Sequence, residues 1–104
     1  MKKIINKKMY NTETSICLHS WDDGCYGNDF RACEESLYKT KRGAYFIAGS
    51  GGPMSKYAKS YGSNSTGGSS DITPVSKAEA IEWLESHDGT NAIEQYFADD
   101  IEEA

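Results

Sequence analysis

Ser76-Lys77-Ala78-Glu79 is a capping box, and no other segment constrains the fold of this chain as tightly. In such a box the serine hydroxyl and the glutamate carboxylate each accept a hydrogen bond from an amide that the first helical turn leaves orphaned. A helix must therefore start at residue 77. Ala80, Ile81 and Leu84 form its apolar stripe, Trp83 borders the stripe, and Gly89 suits a left-handed stop. Thr90-Asn91 restart a second helix with Ile93, Tyr96, Phe97 and Ile101 as its stripe. Trp83, Leu84, Ile81, Phe97, Ile93 and Phe46 are the expected core.

Upstream of this pair the pattern is that of strands. Residues 2–10 predict a β-hairpin, with Ile4 and Ile5 before an Asn6-Lys7 turn and Met9 and Tyr10 after it. Residues 14–21 alternate, Ile16 and Leu18 to one side and Cys17, His19 and Trp21 to the other, until Asp22-Asp23-Gly24 breaks the run. Phe30, Cys33 and Leu37 suggest a short helical turn. A second hairpin joins residues 37–40 to 44–48 through Lys41-Arg42-Gly43, with Gly43 where a positive φ is needed. The expected fold is α+β: an antiparallel sheet of four to five strands from residues 2–49, with the two C-terminal helices packed on one face.

Residues 49–70 change character, because thirteen of these 22 are Gly or Ser. They predict a Gly/Ser-rich internal loop. Pro53 and Gly62 would bound a short helix carrying Met54, Tyr57, Ala58 and Tyr61, and residues 63–70 would be mobile. At 104 residues the chain suits a single domain, 1–104, with one modest core. Its hydrophobic fraction of 38% is low, but 12% of its residues are aromatic and bring large buried areas.

Charge is divided along the chain. Residues 1–70 hold ten Lys/Arg against six Asp/Glu, whereas residues 71–104 hold one Lys against ten Asp/Glu, so +4 and −9 give the net −5. An acidic helical tail on a mixed-charge body suits a basic partner. Its candidate contact residues are Glu82, Glu85, Asp88, Glu94, Asp99, Asp100, Glu102 and Glu103. Lys2, Lys3, Lys7 and Lys8 cluster on the first hairpin beside Tyr10. Because the net charge opposes nucleic acid, they read as lysines guarding a strand edge, and no direct nucleic-acid binding is expected.

Other constellations imply less. Cys17, His19, Cys25 and Cys33 are donors of the zinc type, but their spacing fits no common site, so no metal or other cofactor is expected. Gly49-Ser50-Gly51-Gly52 follows a strand, as a phosphate cradle does, with Lys56 and Lys59 nearby. Gly52-Pro53-Met54 lacks the Gly-Lys-Ser/Thr that a Walker loop requires. A nucleotide or phosphate module using Gly49, Gly51, Gly52, Lys56 and Lys59 is thus the alternative reading. His19 and His87 have no recognisable nucleophile motif beside them, so no enzyme is expected. The apolar start Met1–Ile5 ends at once in Asn6-Lys7-Lys8, which predicts no export. Nothing approaches the roughly 20 apolar residues of a membrane span. Three cysteines in an unexported chain then read as reduced thiols in a cytoplasm.

Leu37-Tyr38-Lys39-Thr40-Lys41-Arg42-Gly43-Ala44-Tyr45-Phe46, then Gly51-Gly52, Ser55-Lys56-Tyr57-Ala58, Ile72-Thr73-Pro74-Val75-Ser76 and Ala80-Ile81-Glu82-Trp83-Leu84 form a recognisable series. With the opening Lys3-Ile4-Ile5-Asn6, Tyr10 and Thr12, it resembles a family of small proteins carried by phages and mobile elements of Gram-positive bacteria. The family opening usually has glycine after Asn6, where this chain has Lys7. Small acidic proteins from that setting include anti-CRISPR inhibitors. The resemblance implies a non-enzymatic inhibitor of a bacterial defence nuclease, a Cas9-type effector above all, acting in the host cytoplasm through an acidic protein-binding surface. Such effectors hold nucleic acid in positively charged channels that an acidic surface can enter.

Overall fold

A computed structural model describes residues 1–22, 33–51, 59–60, 66–67 and 69–102. Strands β1 (Lys2–Ile5) and β2 (Lys8–Asn11) form the first hairpin, with Ile4 opposite Met9 and Lys3 opposite Tyr10. Asn6 (φ 51°) and Lys7 (φ 67°) both take the left-handed conformation that a two-residue turn of the primed type demands.

The main sheet is antiparallel, in the order β3 (Ile16–Asp22), β4 (Cys33–Lys39), β5 (Tyr45–Gly51) and β8 (Ser69–Val75). The fold is α+β as expected, but the sheet is drawn from a different part of the chain. The first hairpin stands apart as its own two-stranded sheet, and the fourth strand comes from residues 69–75. Pro74 fits there because β8 is an edge strand, where a missing amide costs no ladder bond. Cys33–Lys39 is strand where a helical turn was expected around Cys33 and Leu37. A spacing of four puts both side chains on one face of a strand as readily as of a helix.

Within the Gly/Ser-rich stretch, β6 (Lys59–Ser60) pairs with β7 (Thr66–Gly67). Lys59–Ser60, Thr66–Gly67 and the start of β8 at Ser69 are strand where the end of the 53–62 helix and a mobile loop over 63–70 were expected; residues 61–65 and 68 lie outside the described residues. The rest of that helix lies outside the described residues. The turn at Lys41-Arg42-Gly43 is as read, with Gly43 at φ +87°.

Alternation on β5 sends Phe46 to one face and Ile47 to the other, and each face has its own core. On one side Tyr10, Phe46 and Ile72 are buried, with Ile5, Tyr38, Ala44 and Ala48 around them, so the hairpin packs here. On the other side Leu18, Leu37 and Ile47 meet Ala80, Trp83, Leu84, Ala92, Ile93 and Phe97 of the helical layer. The expected core residues are all buried except Ile81, which is partly buried against this cluster. A register shift between Cys17 and His19 inserts Leu18 as a bulge. It breaks the simple alternation: Leu18 joins His19 and Trp21 on the helical side, Cys17 faces the other way, and Ile16 is exposed.

Helix α1 (Lys77–Ser86) and helix α2 (Thr90–Tyr96) are joined by three residues, His87, Asp88 and Gly89. Asp88, not Gly89, takes the left-handed conformation (φ 58°). The Gly89 amide donates to the Leu84 carbonyl at 2.7 Å, closing α1, and the Gly89 carbonyl accepts from Ile93 at 2.9 Å, opening α2. Gly89 is required for space: an added Cβ would lie 2.6 Å from Leu84 Cδ2 and 2.9 Å from the Leu84 carbonyl oxygen.

Candidate functional site

The capping box is complete. Ser76 Oγ accepts from the Glu79 amide at 3.1 Å, and Glu79 Oε1 accepts from the Ser76 amide at 2.9 Å. The Ser76 backbone amide and then its hydroxyl hold the Glu79 carboxyl below its ordinary value. With the helix phase fixed, α1 buries Ala80, Trp83 and Leu84 and leaves Glu82, Glu85 and Asp88 exposed. Ala92 and Ile93 anchor α2, which leaves Glu94 exposed; a 3₁₀ turn over Ala98–Asp100 then exposes Asp99 and Asp100, and Glu102 follows. Glu103 lies outside the described residues.

Seven candidate carboxylates thus share the surface of one helical layer. Asp100 is paired with Lys77 at 2.8 Å, which holds the Lys77 ammonium above its ordinary pKa, chiefly through the hydrogen bond. The stripe read through Ile93, Tyr96, Phe97 and Ile101 is corrected here. Because α2 ends at Tyr96 and the chain tightens into the 3₁₀ turn, Tyr96 (40% exposed) and Ile101 (46%) face out while Phe97 is buried. Two large apolar side chains therefore sit among the carboxylates. An aromatic within a polar rim is the usual composition of a protein-binding surface.

Behind this layer lies a cluster that sequence reasoning did not assemble. Glu35 is buried, 3% exposed, beneath α1. Trp83 Nε1–H donates to its carboxylate at 3.4 Å, and His87 Nε2 lies 3.6 Å from the same oxygen. His87 Nδ1–H donates to the Trp83 carbonyl at 2.6 Å, and His19 Nε2–H donates to the His87 carbonyl at 2.8 Å. The His87 ring stacks on Trp83 and meets Trp21 edge-on.

Ser86 Oγ is 3.3 Å from His87 Nδ1, which invites comparison with a nucleophile and its base. The proton on that nitrogen is committed to a carbonyl, however, and the hydroxyl donates to the Glu82 carbonyl at 2.9 Å. A base needs a free lone pair facing the hydroxyl. The cluster acts as a clamp between β3, β4 and the end of α1, satisfying carbonyls that a helix C-terminus leaves open. Nothing in sequence distinguishes Glu34, which is exposed, from Glu35. The one available signal was His19 and Trp21 sharing a strand face.

The glycine run does not open into a cradle. Gly49, Ser50 and Gly51 continue β5 and pair with Glu35, Glu34 and Cys33 on one side and with Asp71, Ser70 and Ser69 on the other. Backbone groups laddered on both sides are not aimed at a phosphate. Lys59 begins β6, and Gly52 and Lys56 lie outside the described residues. The candidate zinc donors Cys17 and His19 fall on opposite faces of β3, and Cys25 is outside the described residues. Cys17 Sγ lies 3.5 Å from Ser20 Oγ; burial, then the nearby Cys17 thiol, pushes the Tyr38 phenol up. Among the described residues no helix is long and apolar enough to cross a membrane. No family model, curated protein or solved structure matches this chain.

Proposed function

We propose that this chain is a non-enzymatic inhibitor of a bacterial defence nuclease, an anti-CRISPR protein against a Cas9-type effector in the host cytoplasm. The observation that carries the reading is the acidic helical layer, whose exposed carboxylates are accompanied by the exposed side chains of Tyr96 and Ile101. In a basic channel the carboxylates would take the place of phosphates, and the two apolar side chains would supply contact area that charge alone lacks. The target class comes from the family resemblance. The laddered glycine run gives the phosphate-module alternative no support.

The test is target cleavage by Cas9-type effectors, titrated with the protein and with the triple reversal Glu82→Lys, Glu85→Lys, Asp88→Lys. All three side chains are exposed, so circular dichroism should be unchanged while association slows and inhibition is lost. Inhibition should also weaken with salt, because exposed charges act over only ~8 Å at physiological ionic strength. Equal potency of the two proteins would eliminate the acidic-mimic mechanism.

A further inference from the structure

Three parts of the chain meet at one end of the main sheet around an open concavity of about 620 Å³. Lys8 and Tyr10 come from β2, Lys39 from the end of β4, Gly43 to Tyr45 from the turn and the start of β5, and Pro74 to Lys77 from the junction of β8 and α1. Three lysines from separate elements therefore line one hollow. The neighbouring turn adds Lys41 and Arg42, both exposed. Asp100 pairs with Lys77, and the carboxylate of Glu79, two residues along α1, is occupied by the helix cap. Lys39 lies 5.8 Å from the centre of the Tyr45 ring, which steadies it at the rim. Lys8 makes no ion pair among the described residues.

We infer that this hollow is an anion site for a ligand carrying closely spaced phosphates. Three cations contributed by separate elements favour a ligand whose charge is repeated along its length over a single monoanion. A concave wall also focuses their field within a protein whose net charge is negative. The phosphates could belong to a free polyphosphate or to a nucleic-acid strand, and the test separates the two. This inference is independent of the inhibitor reading: it uses the opposite charge and lies outside the acidic face except at Asp100.

The probe is inorganic triphosphate, titrated into the full chain at fixed low ionic strength and followed by amide NMR. Saturable shifts are expected at Gly43, Ala44, Val75, Ser76 and Lys77. Lys8→Gln and Lys39→Gln should each weaken binding about tenfold, the worth of one charge-assisted hydrogen bond. Lys2→Gln removes the same charge at the far end of the hairpin, opposite Asn11, and should change little. Asp100→Asn should tighten binding by freeing Lys77, while the remote Glu13→Gln should not. That gain cannot arise from misfolding. A single-stranded oligothymidylate that displaces triphosphate from these amides would identify a nucleic-acid source; failure to displace it would identify a free polyphosphate. Absence of saturation below about 5 mM, a very weak affinity, would overturn the inference. So would an effect of Lys2→Gln equal to that of Lys8→Gln, or of Glu13→Gln equal to that of Asp100→Asn.

Discussion

The two faces of the main sheet carry opposite chemistry. One bears a hairpin with Lys2, Lys3, Lys7 and Lys8 exposed; the other bears two helices with Glu82, Glu85, Asp88 and Glu94 exposed. The lysines of the hairpin and the carboxylates of the helices therefore lie on opposite sides of the sheet. The faces are also held unequally. Among the described residues the helical side buries nine in its cluster, whereas the hairpin side buries three and adds the exposed Lys3–Asp71 ion pair at 2.6 Å. Such a pair is worth about 0–1 kcal/mol. The basic layer should therefore detach before the acidic one.

The largest test compares one phenylalanine on each side. Phe97 is 1% exposed and Phe46 is 0%, so replacing either with alanine should cost about 3–5 kcal/mol in urea unfolding. Hydrogen exchange should tell them apart: Phe46→Ala should expose the β1–β2 amides while the helix amides stay protected. If both variants open both layers together, the sheet does not separate two cores. Next in size is Gly89→Ala. Its Cβ would collide with Leu84, and overpacking of that kind costs about 1–3 kcal/mol in thermal melts; a silent substitution would mean that the helix junction has slack.

A smaller effect of opposite sign belongs to the hairpin. Lys7 sits at φ 67°, where a non-glycine residue loses about 1 kcal/mol or more, so Lys7→Gly should raise the melting temperature slightly. Unchanged or lower stability would show that the turn is not strained. The smallest effect concerns acid. The cap holds the Glu79 carboxyl below its ordinary value. Its contribution is thus complete above the ordinary glutamate range and fades as pH falls through the depressed folded value. Glu79→Gln should flatten that part of the pH–stability curve; an identical acid limb would remove Glu79 from the account.

The legible parts of the fold were those decided by neighbours in sequence. The capping box and the turn at Gly43 use residues within four positions of each other, and both stand as read. Strand β8 was missed because serines and a proline hide it, and only its partner β5 makes Ser69–Val75 a strand. Cys33 and Leu37 were misread because their spacing serves either periodicity. The acidic face followed from helix phase and was readable. Tyr96 and Ile101 were not, since their exposure depends on where α2 stops. Glu35 was beyond reach, because its burial depends on Trp83 and His87, about fifty positions away.

Gly89 finishes one helix with its amide and starts the next with its carbonyl, and that shared residue sets the entropy of any encounter. Carboxylates on α1 and α2 cannot swing relative to each other as they would across a flexible linker. A partner of the proposed kind would thus meet a surface that has already lost its freedom during folding, and association need not remove it a second time. A few glycines inserted after Asp88 would leave every charge in the sequence and lower the affinity through disorder alone.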